Sequence, residues 1–287
     1  MIPSAFQYFA PTSVEEAIGL LQEHGDEAKL LAGGHSLLPA MKLRLAQPGV
    51  LIDINKIESL RSIAVNGNVQ LGSLATYSAI AESADVRAAC SVLAECCEQI
   101  GDIQVRNRGT IGGSLAHSDP AADLPAVALA LDAVMTVQGP NGTRDIAAGD
   151  MFIEMLTTAL EPEEVITRVT LPRLGAGEGA VYEKLRNPAS RYAIVGIAAY
   201  VKMNGGTISA ARVAVTGAGI KAVRQPALEA ALVGSDGGAD ALDTAAALAG
   251  EDVDFLGDIH ASEDYRRAMV KVYARRALVR AIKQAQG

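Results

Sequence analysis

Hydrophobic and polar positions change period several times along this chain, and each change marks an element. VEEAIGLLQEHG, from Val14 to Gly25, spaces its apolar residues by three and four, follows Thr12 and Ser13, carries Glu15 and Glu16 in its first turn and stops at glycine. That pattern predicts a capped helix. AKLLAGG then reads as a short buried strand, HSLLPAMKLRL as a helix and VLIDI, Val50 to Ile54, as a second strand, together a small βαβ-like unit. From Leu60 the period shortens to two: SIAVNGNVQLGS is a pair of alternating runs around Asn66-Gly67, which predicts a hairpin. Helical segments follow, one from Thr76 to Ala84 and one holding Cys90, Cys96 and Cys97.

Farther on, AVALALDAVMTVQGPNGTRDIAAGDMF predicts a helix and then a hairpin turning on Pro140-Asn141-Gly142, and VITRVTLP, Val165 to Pro172, another strand. LGAGEGA, Leu174 to Ala180, concentrates glycine between two strand-like runs and reads as a linker. Beyond it AVYEKLR, AIVGIAAYVKMNGG and TISAARVAVTGAG predict a three-stranded antiparallel meander, and the remainder is Ala-rich and helical to the end. The predicted class is α+β, and 287 residues suit two domains, divided near residue 175.

Composition narrows this by exclusion. Hydrophobic residues are 49% of the chain but aromatics only 4%, with no Trp, which suits packed layers better than an aromatic sugar or nucleobase cleft. A net charge of -8 opposes nucleic acid unless a local basic stripe exists. MIPSAFQYFAPTS has no basic n-region, and LPAVALALDAVMTV is too short to span a membrane and is broken by Asp132, so a cytoplasmic location is expected. The three cysteines sit in one segment without CxxC spacing and are too few to supply four thiolates to a cluster, so they read as small buried hydrophobes. No zinc-type spacing, Ser/His/Asp arrangement or carboxylate pair appears, and no catalytic or metal-binding residue is assigned.

Two stretches repeat one design: LLAGGHSLLPAMKLR, Leu30 to Arg44, and GTIGGSLAHSDPAADLP, Gly109 to Pro125. Each runs from apolar residues through Gly-Gly to Ser or His-Ser and a helix-like segment. A helix start has unpaired N–H groups, and glycine before it lets an anion approach the backbone. Two facing corners would clamp both phosphates of a dinucleotide, with Ser36, Thr110 and Ser114 adding hydroxyls. Taken singly, each corner is only a tight turn.

The paired motifs AGGHSLLPAMKLRLAQP and RNRGTIGGSLAHSDPAADLPA, with Phe6, Tyr8 and Pro11 at the start and YEKL at Tyr182, resemble the FAD-binding medium subunit of the molybdenum hydroxylases, a group that includes aerobic carbon monoxide dehydrogenase. The resemblance implies a PCMH-type FAD-binding domain over residues 1–175, in lobes of about 1–57 and 58–175, and a C-terminal flavoprotein domain over 176–287. It implies that Ala32, Gly33, Gly34, His35 and Ser36, with Thr110, Ile111, Gly112, Gly113 and Ser114, wrap the pyrophosphate of a non-covalent FAD. Asp123 would accept hydrogen bonds from the sugar-alcohol chain, or simply cap the helix at Leu124. Lys184 would sit beside the flavin, or pair with Glu on a surface strand. Tyr192 falls where relatives place a tyrosine against the flavin ring, preceded here by Arg191 in place of an acidic residue, and Ser114 stands where many relatives have Asn.

The same resemblance implies partners: a small subunit with [2Fe-2S] clusters and a large molybdopterin subunit, in a dimer of heterotrimers, with this chain passing electrons to an external acceptor. Carbon monoxide is favoured as substrate by the first motif. The alternatives are a free-standing FAD oxidase of a small alcohol or amine, and a flavin-free assembly subunit. Gly217-Ala218-Gly219 matches a dinucleotide fingerprint formally, but Pro226 interrupts what should be its helix, so it reads as a turn. Arg266, Arg267, Arg275, Arg276 and Arg280 form a basic stripe, solvated or docked on a partner.

Overall fold

The computed structural model describes residues 2–287. Its first lobe contains β1 (Gln7–Phe9), α1 (Val14–His24), β2 (Ala28–Leu31), α2 (Leu37–Lys42) and β3 (Val50–Asp53), and its three strands form a parallel sheet in the order β1-β3-β2. The capping signal ahead of Val14 is realised: Ser13 Oγ accepts from the Glu16 N–H at 3.1 Å, and Glu16 reaches back to the Thr12 N–H at 2.8 Å. Val14, Ala17, Ile18 and Leu21 then lie on one face of α1 and pack against Val50 and Ile52. β1 is only three residues long, too short to carry a periodicity of its own.

The second lobe runs β4 (Ile63–Asn66), β5 (Asn68–Gly72), α3 (Tyr77–Glu82), α4 (Ala84–Ala89), α5 (Ser91–Gln99), α6 (Ile103–Arg106), α7 (Ile111–His117), α8 (Leu124–Ala130), β6 (Val134–Gly139), β7 (Gly142–Ala147), α9 (Ala148–Met151), β8 (Phe152–Glu154), β9 (Thr157–Thr158) and β10 (Val165–Pro172). Five of these strands make an antiparallel sheet ordered β4-β5-β10-β6-β7. Both predicted hairpins form, the first around Gly67 at φ 80. The helix expected from Thr76 to Ala84 breaks at Ser83, whose hydroxyl accepts from the Val86 N–H and starts α4. Cys90, Cys96 and Cys97 are all buried free thiols, and burial pushes the Cys90 thiol up to about 12.

The C-terminal part has β11 (Glu178–Arg186), β12 (Ala193–Asn204), β13 (Thr207–Thr216) and β14 (Val223–Arg224), then α10 (Pro226–Leu232), α11 (Ala239–Ala247) and α12 (Glu263–Gln286). The three expected strands are present, and the two residues of β14 add a fourth beside β13, too few to leave a pattern in the sequence. Alternation along the sheet divides its two faces. Ala180, Tyr182, Ala198, Tyr200 and Ala214 join the core of the second lobe, whereas Val181, Val195, Ile197 and Val213 meet α10 and α12. α12 crosses the sheet closely because glycine faces it: a Cβ on Gly179 would stand 2.0 Å from the Ala281 carbonyl oxygen. Gly217, at φ 80, turns the chain after β13, as expected of a turn rather than a nucleotide loop.

Residues 174–177 do not form the loose linker their glycines suggest. The Leu174 N–H donates to Ala89 O, the Gly175 N–H to a Glu178 carboxylate oxygen at 2.8 Å, and Gly177 O accepts from Met203.

Candidate functional site

A cavity of about 720 Å³ opens where the two lobes and the loop between β11 and β12 meet. Its apolar walls include Leu31, Leu74, Ile100, Val105, Leu160 and Ile166. The volume is within the range of cofactor sites, roughly 300–1,000 Å³. Ala32, Gly33, Gly34, His35, Ser36, Thr110, Gly112, Gly113, Ser114, Asp123 and Tyr192 all line it. Ile111 and Lys184 do not: Ile111 is turned into the core of the second lobe, and Lys184 lies behind Asp123.

The two glycine corners touch, and each glycine has its own reason. A Cβ on Gly33 would stand 2.1 Å from the Arg108 carbonyl oxygen, so only glycine lets the first lobe close on the turn that leads into the second corner. Gly34 takes φ 75, a left-handed conformation open to few other residues. Gly112 is required by Ser73, whose Cβ would be 2.5 Å from a new Cβ there. Gly113 faces across the seam, its Cβ position 3.9 Å from the Ala32 Cβ.

The expectation of two amide nests needs correction. In the second corner the N–H groups from Ile111 to Ser114 are already used: Ile111 donates to Ala75 O, Gly112 to Ser73 O, Gly113 to Thr110 Oγ1 at 3.1 Å and Ser114 to Thr110 O. In the first corner the N–H groups of Gly33, Gly34, His35 and Ser36 have no hydrogen-bond partner among the described residues. The first corner therefore has backbone donors to offer a ligand, and the second stands across the seam from it. Thr110 Oγ1 accepts from the Gly113 N–H as the helix cap, which leaves its O–H free to donate into the cavity that it lines. His35 Nδ1 lies 3.3 Å from Gly33 O.

Two residues unremarked in the sequence complete this end. Asn55 donates to Ala32 O at 2.7 Å and so fixes the first corner from below. Ser73 lines the cavity with a buried hydroxyl that has no partner among the described residues. Neither carries a local motif; both depend on contacts distant in sequence.

Asp123 lines the cavity as part of a buried cluster. Its Oδ2 accepts from Lys184 Nζ at 2.8 Å and its Oδ1 from the Tyr182 hydroxyl, while Lys184 also reaches Gln99 O at 3.2 Å. Asp123 makes no side-chain cap to the helix it precedes, so the capping alternative is set aside. The surface alternative for Lys184 also fails, because its side chain is 1% exposed and its partner is Asp123, not Glu. Burial raises the Asp123 pKa, opposed by the Lys184 ammonium and the Tyr182 hydroxyl. Tyr182 itself fits only because residue 196 is glycine: a Cβ there would be 2.2 Å from the phenolic oxygen.

The arginines of α12 are mostly engaged within the chain. Arg266 is buried and donates to Ile194 O, Gly217 O and Asp258; Arg275 pairs with Asp243, and Arg280 bridges Glu95 and Glu183. Arg267 and Arg276 lie over the rings of Phe255 and Tyr273. This stripe ties α12 to its own protein.

A cavity of this size between two lobes, with apolar walls and free amides at one corner, fits a protein that holds a dinucleotide cofactor. The family follows from comparison: residues 4–174 match the FAD binding domain in molybdopterin dehydrogenase and residues 180–281 the CO dehydrogenase flavoprotein C-terminal domain, so the chain belongs to the FAD-binding subunits of the molybdopterin dehydrogenases. It is 41% identical to the carbon monoxide dehydrogenase medium chain of Hydrogenophaga pseudoflava, covering 97% of each chain. It is 35% identical to the 6-hydroxypseudooxynicotine dehydrogenase complex subunit alpha of Paenarthrobacter nicotinovorans, over 100% of this chain and 97% of that one. It superposes with a TM-score of 0.97 and 43% identity, over 99% of both chains, on a chain of the Hydrogenophaga pseudoflava carbon monoxide dehydrogenase that lacks the Mo-pyranopterin moiety of its molybdenum cofactor. The chain is thus a flavoprotein subunit of an oxidoreductase, with FAD as its cofactor. Among the described residues no helix is long and apolar enough to cross a membrane.

Proposed function

We propose that this chain is the electron outlet of a cytoplasmic molybdenum dehydrogenase, with non-covalent FAD lying between lobes 1–57 and 58–175 and a separate C-terminal domain from about residue 176. The observation that carries this is the set of four unpaired N–H groups at Gly33 to Ser36, set against the second corner across the lobe seam. Bound FAD supplies the conversion between one-electron and two-electron transfer. The first corner holds the diphosphate through its amides, and Ser73 and Ser114 offer hydroxyls beside it. Asp123, fixed by Tyr182 and Lys184, presents carboxylate oxygens to the cavity, where they suit the hydroxyls of a sugar-alcohol chain. Lys184 compensates that carboxylate from behind, and the half-exposed Tyr192 lines the cavity.

In this reading the partners are a small subunit with [2Fe-2S] clusters, which delivers electrons, and a large subunit with molybdenum cofactor, which oxidises substrate, arranged as a dimer of heterotrimers. Carbon monoxide is the favoured substrate, because the 41% identity to a carbon monoxide dehydrogenase chain exceeds the 35% to a nicotine-derivative dehydrogenase chain. Substrate choice rests in the large subunit, since neither corner nor cavity of this chain offers a separate organic site. The test is purification of the chain with its neighbours. A flavin absorption spectrum that bleaches on adding carbon monoxide supports the reading, and a colourless purified chain that does not take up FAD overturns it.

A further inference from the structure

Arg191 lines the cavity next to Tyr192, and Arg106 stands beside it, outside the lining. Gly101, itself a lining residue with φ 51, offers its carbonyl oxygen to both: Arg106 Nη1 donates to it at 3.1 Å and Arg191 Nη1 at 3.1 Å. Arg106 also reaches Ile100 O at 3.2 Å. Two guanidinium groups thus converge on one neutral oxygen. Elsewhere in the chain converging arginines meet carboxylates, as Arg212 and Arg224 do at Asp132. Among the described residues neither Arg106 nor Arg191 has a carboxylate within 4.0 Å. The nearest acid in sequence, Asp102, turns Oδ1 to the Val105 N–H as the cap of α6.

The loop that presents Arg191 is built to hold it there. Arg191 has a left-handed backbone, φ 61, which a long side chain adopts at a cost. Asn187 Oδ1 accepts from the N–H groups of Ala189 and Ser190, Asn187 O accepts from the Arg191 N–H at 2.9 Å, and the Asn187 N–H closes the loop on Tyr192 O at 2.8 Å. Arg191 and the half-exposed Tyr192 are therefore displayed together. Asp119 and Asp123 line the same cavity, and burial with these two carboxylates raises the Tyr192 pKa.

We propose that Arg106 and Arg191 form an anion-binding site at the cavity mouth that receives the oxyanion or other negatively charged group of the electron acceptor. This rests on the reading of the chain as an electron outlet and adds the chemical class of what leaves with the electrons. Electrostatic guidance of this kind acts on encounter rates, typically about tenfold or more, and weakens with salt.

The full-length FAD-loaded chain, reduced and mixed rapidly with an oxidant, provides the test. Two ferricyanide ions each take one electron from the reduced flavin, which releases its protons to solvent; hexaammineruthenium(III) does the same as a cation. Arg191→Glu is expected to slow ferricyanide about tenfold and to speed the cationic oxidant, with Arg191→Lys near wild type and the ferricyanide rate falling as salt rises. Arg191→Gln serves if the glutamate variant does not fold. Independently of electron transfer, inorganic phosphate at constant ionic strength should raise the melting temperature of the wild type more than that of Arg191→Gln, with or without flavin. An unchanged ratio of the two oxidation rates in the variants, an equal phosphate response, or a loss of FAD affinity in Arg191→Gln overturns the proposal. A wild-type chain that takes up no FAD would defeat the electron-outlet reading instead, and the phosphate comparison would still judge the rim.

Discussion

Lys184 Nζ lies 2.8 Å from Asp123 Oδ2, with the two side chains only 1% and 5% exposed. A charge pair this far from water is compensated only while both members remain. Lys184→Met leaves a buried carboxylate with the Tyr182 hydroxyl alone, and unfolding by urea should show a loss of about 3–5 kcal/mol. The double variant Lys184→Met/Asp123→Asn should recover a large part of that loss. If the double variant is no more stable than the single one, the pair is not coupled as described.

Gly33 and Gly19 make a controlled comparison of one added methyl group. Gly33→Ala places a Cβ 2.1 Å from the Arg108 carbonyl oxygen, so the lobes must separate, at a cost of about 1–3 kcal/mol and with weakened FAD retention. Gly19 lies exposed in the middle of α1 with nothing within 4 Å of its Cβ position, and Gly19→Ala should stabilise by up to about 1 kcal/mol. Thermal melts and a flavin titration of both variants check the contrast.

Tyr182 and Gly196 set the aim of Asp123. Tyr182→Phe removes one hydrogen bond to a charged group and should cost about 1.5–3 kcal/mol. Gly196→Ala drives its Cβ toward the phenolic oxygen from 2.2 Å and should perturb FAD affinity more than Tyr182→Phe does, measured by equilibrium dialysis.

Acid should loosen the C-terminal part through Asp258. Burial raises its pKa, but the N–H groups of His260 and Ala261 and the Arg266 guanidinium outweigh that and hold it below the ordinary value. A carboxylate lowered in the folded state contributes stability above its unfolded pKa and loses it as pH falls through the folded one. Asp258→Asn should therefore melt at a lower temperature than wild type at neutral pH, and the difference should shrink below about pH 4. A constant difference across that range excludes the charge as its cause.

The long periodic segments were legible in the sequence because their contacts are local. α1 announces itself through Ser13 and Glu16, and the hairpin at Asn66-Gly67 through its turn. The glycine corners could be found but not told apart. Whether an N–H is free depends on Ser73 and Ala75, which lie some distance upstream of Gly112 and Ile111 in sequence, and no local pattern records that. Asn55, Ser73 and the convergence of Arg106 with Arg191 were invisible for the same reason. Asp123 and Lys184 fit a helix cap and a surface pair when each is set against its own helix or strand, because the partner that decides between the alternatives lies 61 positions away.

The β11–β13 sheet gives one whole face, Tyr182 and Tyr200 included, to the interior of the second lobe. A protease that nicks the backbone between Leu174 and Gly177 should therefore release nothing under native conditions, because the fragments remain glued by that shared interior. Either fragment produced alone would present a broad greasy surface to water and would need its mate, or a chaperone, to stay in solution.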